Sequence, residues 1–161
     1  MGDGTIEFEN AKIIYRNFAG VEGKYNQPGD RNFCVLIDPE TAEDLRRDGW
    51  NVRQLRAREE TDTPQDILQV SVNFKGRVPP YVVLINSKGR LVLDEEMVDI
   101  LDQLDIDTVD MVINPYRWSI RGQEGIAAYV KMMYVKINEH KFDLKYADLE
   151  LLPTRSGKVS E

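Results

Sequence analysis

Residues 106–138 read IDTVDMVINPYRWSIRGQEGIAAYVKMMYVKIN. Both halves are rich in β-branched and aromatic residues that alternate with polar ones, a pattern typical of β-strands. Between the halves lies Gly122-Gln123-Glu124-Gly125, and the two glycines favour a turn. The stretch therefore predicts two long strands that pair as a hairpin.

Aromatic and cationic side chains crowd the tip of this hairpin. They are Tyr116, Arg117, Trp118, Arg121, Tyr129 and Lys131. Because neighbouring strand residues point to opposite faces, Tyr116 and Trp118 share one side and Arg117 lies on the other. Rings stack on unpaired bases and cations meet phosphates, so the cluster predicts a site for single-stranded nucleic acid. The alternative is that the rings fill the core and the cations are merely solvated.

A second cluster of the same kind lies near the N-terminus. Its members are Tyr15, Arg16, Phe18, Lys24, Tyr25 and Arg31. They surround a glycine-rich loop, residues 17–30, which is an expected wall of an oligonucleotide groove in a small β-barrel. A phosphate-binding P-loop is excluded, because Phe18 replaces its first glycine and Tyr25 replaces its Ser or Thr. An ordinary surface loop is the open alternative.

A third, smaller group contains Trp50, Arg53, Arg56 and Arg58. Trp50 suits the core, while the arginines suit phosphate contacts near the end of a strand. We include Arg53 among the candidate binding residues.

The net charge of −7 is concentrated in one segment. Residues 94–110 contain eight acidic side chains and no basic one, and the rest of the chain has 20 acidic and 21 basic residues. Other faces are therefore free to be locally basic. The acidic segment alternates with apolar residues as a solvated helix face does, so we expect it to repel DNA and not to bind a metal ion.

Few catalytic chemistries are open to this chain. Cys34 is the only cysteine and His140 the only histidine, which excludes an internal disulfide, a Cys/His zinc site and a histidine-based triad with a serine motif. No apolar run approaches the ~20 residues of a membrane span, and the N-terminus has no signal-peptide pattern. We expect a cytoplasmic protein that is not an enzyme and needs no cofactor.

The turn-forming and helix-capping residues elsewhere in the chain predict a mainly β domain. Strands are expected at residues 6–16, 32–37, 50–56, 67–75, 81–85 and 91–93. Asp38, Pro39 and Gly49 delimit one helix, and Asp94 is expected to begin a second, with Met97, Ile100, Leu101 and Leu104 on one face. Short strands with few helices favour an OB-fold-like small β-barrel with an elongated hairpin, and a β-sandwich is the alternative. The domain is expected to span residues 1–153, followed by a flexible tail at 154–161.

Several segments together resemble the small single-stranded DNA-binding proteins of bacteriophages. They are IEFENAKIIYRNFAG at 6–20, DRNFCVLID at 30–38, RDGWNVR at 47–53, INPYRWSIRGQEGIAAYVKMMYV at 113–135 and KYADL at 145–149. The resemblance covers roughly residues 5–150 and implies an OB-fold domain that coats single strands during phage replication or recombination, without a cofactor. One departure is the C-terminus: many such proteins end in an acidic tail that recruits partners, whereas residues 154–161 contain Arg155, Lys158 and a single acid.

The residues thus predict binding of single-stranded DNA without sequence specificity, by a monomer or homodimer in the host bacterial cytoplasm. Phage replication or recombination proteins are possible partners, and a membrane is not. Two alternatives stay open: a protein–protein or virion scaffold module that uses the hairpin aromatics as anchors, and a nuclease built on the acidic segment.

Overall fold

The computed structural model describes residues 4–55 and 64–139. This part of the chain contains nine strands, one α-helix and one 3₁₀ helix at Val98–Asp102. The strands are β1 Ile6–Ala11, β2 Ile13–Asn17, β3 Asn32–Ile37, β4 Val52–Leu55, β5 Gln65–Ser71, β6 Tyr81–Asn86, β7 Gly89–Leu93, β8 Ile106–Ile120 and β9 Gln123–Ile137, and the helix α1 is Pro39–Asp48. None of the helices described here is long and apolar enough to cross a membrane.

The strands pair in the order β1-β8-β9-β5-β3-β2, and the chain itself joins the two ends of this path. β1 and β2 are consecutive segments separated only by Lys12, whose carbonyl accepts a hydrogen bond from Leu36 N at 2.9 Å. We predicted a single strand over residues 6–16. It is bent instead, so that its first half pairs with β8 and its second half with β3.

This connectivity gives a barrel-like ring of five strands with the topology of an OB-fold. All neighbours in the ring are antiparallel except β5 and β9, which pair in parallel through Val70 with Ala128 and Ser71 with Tyr129. β4 extends the sheet beside β5, and the β6–β7 hairpin joins it along the second half of β9. The predicted mainly β, OB-like fold is therefore confirmed, and the two-sheet sandwich is not.

The core lies on one face of every strand in the ring. Phe33, Val70 and Ala128 are buried, and Phe18 packs on Phe33 with ring centroids 5.4 Å apart. Burying one such large apolar side chain stabilises the fold by roughly 1.5–3 kcal/mol. The residues that alternate with these point away from the core, and they form the outer face of the ring.

Helix α1 agrees with its sequence signals. The Asp38 side chain accepts a hydrogen bond from Thr41 N at 2.9 Å, Pro39 is the first helical residue and Gly49 ends the helix with a φ of 105°. The C-terminal half is fixed to the sheet by an ion pair of 2.7 Å between Arg46 and the buried carboxylate of Asp66.

The predicted second helix is wrong. Only the 3₁₀ turn at Val98–Asp102 forms, with Val98 and Leu101 buried, whereas Met97 and Ile100 are exposed. Asp94 accepts hydrogen bonds from Glu96 N and Met97 N, as a cap does, but other carboxylates in this segment bind distant parts of the chain. Asp102, for example, accepts hydrogen bonds from the backbone N–H groups of Phe18 and Ala19, at 2.7 and 2.9 Å.

The β8–β9 hairpin turns two residues earlier than predicted. Arg121 and Gly122 have φ values of 52° and 82°, so they form a two-residue turn of the type that matches strand twist. Gly125 therefore lies within β9, opposite Trp118. β9 also contains a bulge: Ile113 pairs with Val130 and Val112 with Met132, which leaves Lys131 as the extra residue.

Some predictions concern residues beyond the described ranges. The boundary between 153 and 154, the tail, the KYADL segment, Arg56, Arg58 and His140 all lie outside the described residues.

Candidate nucleic-acid interface

The outward face of the ring carries a row of polar and aromatic side chains across four strands. Asn32 of β3 pairs with Ser71 of β5, which pairs with Tyr129 of β9, which pairs with Asn114 of β8. Directly paired residues point to the same side of a sheet, so all four side chains share one surface. Their strand neighbours Phe33, Val70 and Ala128 make the core, which fixes this surface as the outer one.

The hairpin aromatics extend this row toward the tip. Tyr116 pairs with Ala127 and Trp118 with Gly125, so each ring faces a small residue and has room to lie across the neighbouring strand. Tyr116 is 58% exposed and meets Tyr129 edge to face, with centroids 5.9 Å apart. As predicted, Tyr116 and Trp118 lie on one face, and Tyr129 joins them there.

The loop between β2 and β3 forms the opposite wall of a cleft of about 330 Å³. The cleft runs between Tyr25 of the loop and Tyr129 of the sheet, and polar side chains line it. They are Asn26, Gln27, Asp30, Arg31, Asn32, Gln69, Ser71 and Asn73. Tyr25 is 91% exposed, and Lys24 Nζ lies 5.4 Å from its ring centroid. Both sequence clusters therefore contribute a ring to one cleft.

Two glycines give this loop its shape. Gly20 and Gly29 both have positive φ, and Gly29 N donates to Gly20 O at 2.8 Å. A Cβ at Gly20 would lie 2.9 Å from the Gly29 carbonyl carbon, so no larger residue fits. Within the loop, Asn26 Nδ2 donates to the Val21 and Asp30 carbonyls at 2.9 and 3.0 Å. The loop is thus held together by its own backbone and amides, and Tyr25 projects from it.

Phe18 is a correction to the sequence-based site. Its ring is fully buried against Phe33, so it is a core residue and cannot stack on a base. Its position beside a glycine-rich loop suggested exposure, but the Asp102 carboxylate holds the start of this loop against the barrel.

Two of the arginines predicted to contact phosphate bind groups of the protein itself. Arg16 Nη1 donates to the carbonyls of Leu101 and Leu104, at 2.7 and 2.6 Å. Arg31 Nη1 donates to the Phe18 carbonyl, and its Nη2 lies 3.7 Å from a Glu95 carboxylate oxygen. Both guanidinium groups thus hold backbone carbonyls of the protein itself, and Arg31 also lines the cleft.

The other predicted cations are exposed, at different places. Arg121 lies in the turn of the hairpin, and Lys131 occupies the bulge where β9 changes its neighbour from β5 to β6. Arg53 lies on β4, with Nη2 3.3 Å from Gln69 Oε1 at the edge of the cleft. Arg117 pairs with Ile126 and so starts from the opposite face to Trp118. Tyr15 is exposed in a bulge of β2 with a φ of 54° and does not line the cleft.

Cys34 pairs with Gln69 and shares its outward face, but its side chain is buried. Burial raises the pKa of its thiol, and the charge and hydrogen bond of Arg53 offset part of that rise. The thiol therefore stays protonated at neutral pH, as is usual for a buried structural cysteine.

The polar lining of the cleft was not among the sequence candidates. Gln69, Ser71 and Asn73 occupy every second position in the segment LQVSVN, between buried apolar residues, and Asn32 comes directly before the buried Phe33 in the segment NFCVL. That alternation marks them as one outward face. It could have been recognised from the sequence, but nothing in the pattern showed that the two segments pair.

Carboxylates concentrate on a different part of the surface. Glu7, Glu9 and Asp110 line a groove of about 480 Å³ along β1 and β8, together with Met132 and Tyr134. Asp110 also pairs with Lys136, at 3.4 Å. Among the residues that the structure describes, no three carboxylate, histidine or cysteine side chains gather in a way that could hold a metal ion.

Comparisons with known proteins agree on one family. The family described as "Putative phage ssDNA-binding domain" matches residues 3–156. No curated protein sequence matches the chain.

Three solved structures share the fold, all of the single-stranded DNA-binding protein from bacteriophage Enc34 and each 10% identical to this chain. The C-terminally truncated form has a TM-score of 0.55 and covers 86% of this chain and 88% of its own. The values are 0.53, 88% and 90% for its complex with single-stranded DNA, and 0.52, 91% and 90% for the third structure. The match of the family over almost the whole length, on an OB-like fold, shows that this chain belongs to the family of phage single-stranded DNA-binding domains.

Proposed function

We propose that this protein binds single-stranded DNA on the outer face of β3, β5, β8 and β9. The DNA runs from the hairpin tip, over Tyr116 and Tyr129, into the cleft beside Tyr25. Bases stack on these rings and on Trp118, and each productive stack contributes ~1–3 kcal/mol. Stacking tolerates every base, so the binding is sequence-tolerant.

One observation carries this proposal: the cleft between Tyr25 and Tyr129 lies on the face where OB-folds bind oligonucleotides. That face is formed by the second and third strands of the ring, here β3 and β5, between the first loop and the last hairpin. Aromatic rings from both the loop and the hairpin reach this face. The family and the Enc34 protein, one structure of which contains single-stranded DNA, support the same ligand.

Phosphates are contacted by the exposed cations that border this face. Arg121 and Lys131 lie along the hairpin, and Lys24 and Arg53 lie at the two sides of the cleft. Each phosphate neutralised releases counterions, so the logarithm of affinity falls with the logarithm of salt with a slope of roughly −0.7 per contact. The carboxylates of Glu7, Glu9 and Asp110 repel the DNA from the groove along β1 and β8.

In the cell, the protein coats and protects single strands during phage DNA replication or recombination. It acts in the host bacterial cytoplasm as a monomer or homodimer, without catalysis or a cofactor, and it meets phage replication or recombination proteins on the same DNA. The family match supports this role. Coating also requires binding to any sequence, and base stacking provides that tolerance.

Tryptophan fluorescence tests the proposal, because the two tryptophans differ in exposure. Trp50 is only 6% exposed, in the core, whereas Trp118 lies on the proposed face. Titration with an oligo-dT should quench the emission at low salt and much less at high salt. Trp118→Phe should abolish the quenching while a labelled oligo-dT still binds by anisotropy, since phenylalanine keeps a stacking ring.

The alternative functions give different results with the same samples. A scaffold module would show neither quenching nor an anisotropy change at any salt concentration. A nuclease would shorten the oligonucleotide on a gel when Mg²⁺ is added. Either result would contradict the proposal.

A further inference from the structure

One carboxylate oxygen lies within ion-pair distance of two cations at the edge of the cleft. Glu95 Oε2 is 3.7 Å from Arg31 Nη2 and 3.4 Å from Lys75 Nζ. Arg31 lines the cleft, as does Asn73, whose side-chain oxygen accepts a hydrogen bond from Lys75 N at 3.0 Å. The two cations therefore form a positive site beside the cleft, and the protein's own Glu95 supplies the anion.

The Arg31 guanidinium is fixed in its orientation toward this site. Its Nη1 donates to the Phe18 carbonyl, and the backbone carbonyl of Arg31 accepts a hydrogen bond from Val72 N at 2.9 Å. The Arg31 side chain is only 17% exposed, and its Nη2 is the end that faces Glu95. An anion that binds Nη2 therefore meets a donor that is already ordered, which reduces the entropic cost of binding.

Glu95 itself is held loosely. Charge-assisted hydrogen bonds from nitrogen to a carboxylate are roughly 2.7–2.9 Å long, and both distances to Glu95 exceed that range. The ion pair between Arg46 and the buried Asp66, at 2.7 Å, is a tight pair in the same protein. The Glu95 side chain is 40% exposed, so water screens its two pairs. Glu95 thus balances the charge of the site without saturating its donors.

We infer that Arg31 and Lys75 form a phosphate site, and that a backbone phosphate of single-stranded DNA displaces the Glu95 carboxylate from it. The inference rests on the proposed function and adds to it one phosphate position and one internal competitor. DNA that fills the cleft passes Arg31, because Arg31 is part of the lining. A phosphate oxygen accepts from both cations as the carboxylate oxygen does, so Glu95 and the DNA exclude each other.

Glu95→Gln tests the competition, because it removes the charge and keeps the size of the side chain. Anisotropy of a labelled oligo-dT at low salt should show binding that is tighter by roughly three- to tenfold, the scale of two partly exposed ion pairs. Glu96→Gln is the matched control. It removes the same charge from the next residue, which does not pair with Arg31 or Lys75, and should tighten binding by less than about twofold.

Lys75→Gln separates a phosphate site from a general effect of charge. In the wild-type protein Lys75 exchanges Glu95 for a phosphate, so its loss should weaken binding only slightly. In the Glu95→Gln background it gains the phosphate without losing a partner, and its loss should cost roughly three- to tenfold and reduce the magnitude of the salt slope by about 0.7.

A second pair of similar geometry is the control for this cycle. Lys12 and Asp107 lie 3.2 Å apart, both partly exposed, and Lys12 borders a different groove along β1. Lys12→Gln should change oligo-dT affinity by the same factor with and without Asp107→Asn.

The outcomes separate this inference from the proposed function. If the wild-type protein does not bind oligo-dT, single-stranded DNA binding itself is wrong. If it binds, but Glu95→Gln and Glu96→Gln tighten binding equally, or Lys75→Gln costs the same in both backgrounds, no phosphate replaces Glu95 and the inference is overturned. A Glu95→Gln variant with a lowered melting temperature and the affinity of Glu96→Gln would make the network a purely structural one, which also overturns it.

Discussion

The indole of Trp118 fills the space that a side chain at Gly125 would take. The two residues face each other across the β8–β9 pair, and a Cβ built on Gly125 would lie 2.6 Å from Trp118 Cζ2 and 2.9 Å from Cε2. Gly125 does not have a positive φ, so its backbone would accept another residue. Glycine is therefore required here by the ring on the neighbouring strand.

Gly125→Ala should displace Trp118 and weaken binding of oligo-dT. The added methyl group makes the observed ring position impossible, and a displaced ring loses its stack on a base, worth ~1–3 kcal/mol. Anisotropy with labelled oligo-dT measures the affinity, and near-ultraviolet circular dichroism reports the changed tryptophan environment. Gly76→Ala is the control, because its Cβ would meet Asn73 Nδ2 at an ordinary 3.6 Å. Equal affinities of the two variants would remove Trp118 from the site.

Tyr116 and Tyr129 should contribute to binding as a coupled pair. Their rings meet edge to face at 5.9 Å, an arrangement worth about 0.5–1.5 kcal/mol beyond burial, so removing one ring also loosens the other. In a double-mutant cycle, Tyr116→Ala and Tyr129→Ala should each weaken oligo-dT binding, and the double variant should lose less than the sum of the two. Additive losses would mean that each ring contacts DNA independently.

A second edge-to-face pair provides the control for this cycle. Tyr81 and Tyr134 lie 6.2 Å apart on β6 and β9, beyond the bulge at Lys131 and outside the cleft. Tyr81→Ala should leave oligo-dT affinity within about twofold of wild type, although it removes a comparable ring contact.

The Asp38 cap should make stability depend on pH in the acidic range. Hydrogen bonds from Thr41 lower the pKa of Asp38 below its ordinary value, so the folded state favours the carboxylate. That contribution is fully present above the ordinary pKa and is lost as the pH falls through the lowered one. Asp38→Ala should therefore lower the melting temperature at pH 7, and the difference from wild type should shrink at acidic pH. A difference that persists unchanged in acid would mean that the charge of Asp38 is not what stabilises the helix.

Much of the fold was predictable because local signals and long-range pairing agreed. The alternation in β8 and β9 and the caps of α1 each correspond to an observed element. Residues 94–104 do not form the predicted α-helix, although their apolar spacing and the Asp94 cap both favour one. Asp102 binds the backbone at Phe18 and Ala19, more than 80 residues away in sequence, and no local pattern could indicate that.

The site was only partly predictable, for a related reason. An exposed ring and a buried ring look alike in a sequence, so Phe18 and Tyr25 received the same role although one is in the core and the other projects into solvent. Arginine has the same ambiguity, because a guanidinium group serves carbonyl oxygens as well as phosphates. Which partner Arg16 meets depends on where the 3₁₀ helix lies, and that follows only from how the strands pair.

Arg16 and Arg121 should therefore respond differently to the same substitution. Arg16→Gln removes the hydrogen bonds to the Leu101 and Leu104 carbonyls, and a buried acceptor left unsatisfied costs about 1–3 kcal/mol. It should lower the melting temperature by several degrees and leave the salt dependence of oligo-dT binding unchanged. Arg121→Gln removes an exposed cation at the hairpin turn. It should leave the melting temperature nearly unchanged and reduce the magnitude of the salt slope by about 0.7.

The two variants lose the same charge, so the overall electrostatic change is matched and only position differs. Thermal unfolding and oligo-dT titrations at four or five salt concentrations, on both variants, complete the comparison. A reduced slope in Arg16→Gln at full stability would return this arginine to the DNA interface. An unchanged slope in Arg121→Gln would place the path of the strand away from the hairpin turn, with phosphate contacts confined to the cations that border the cleft.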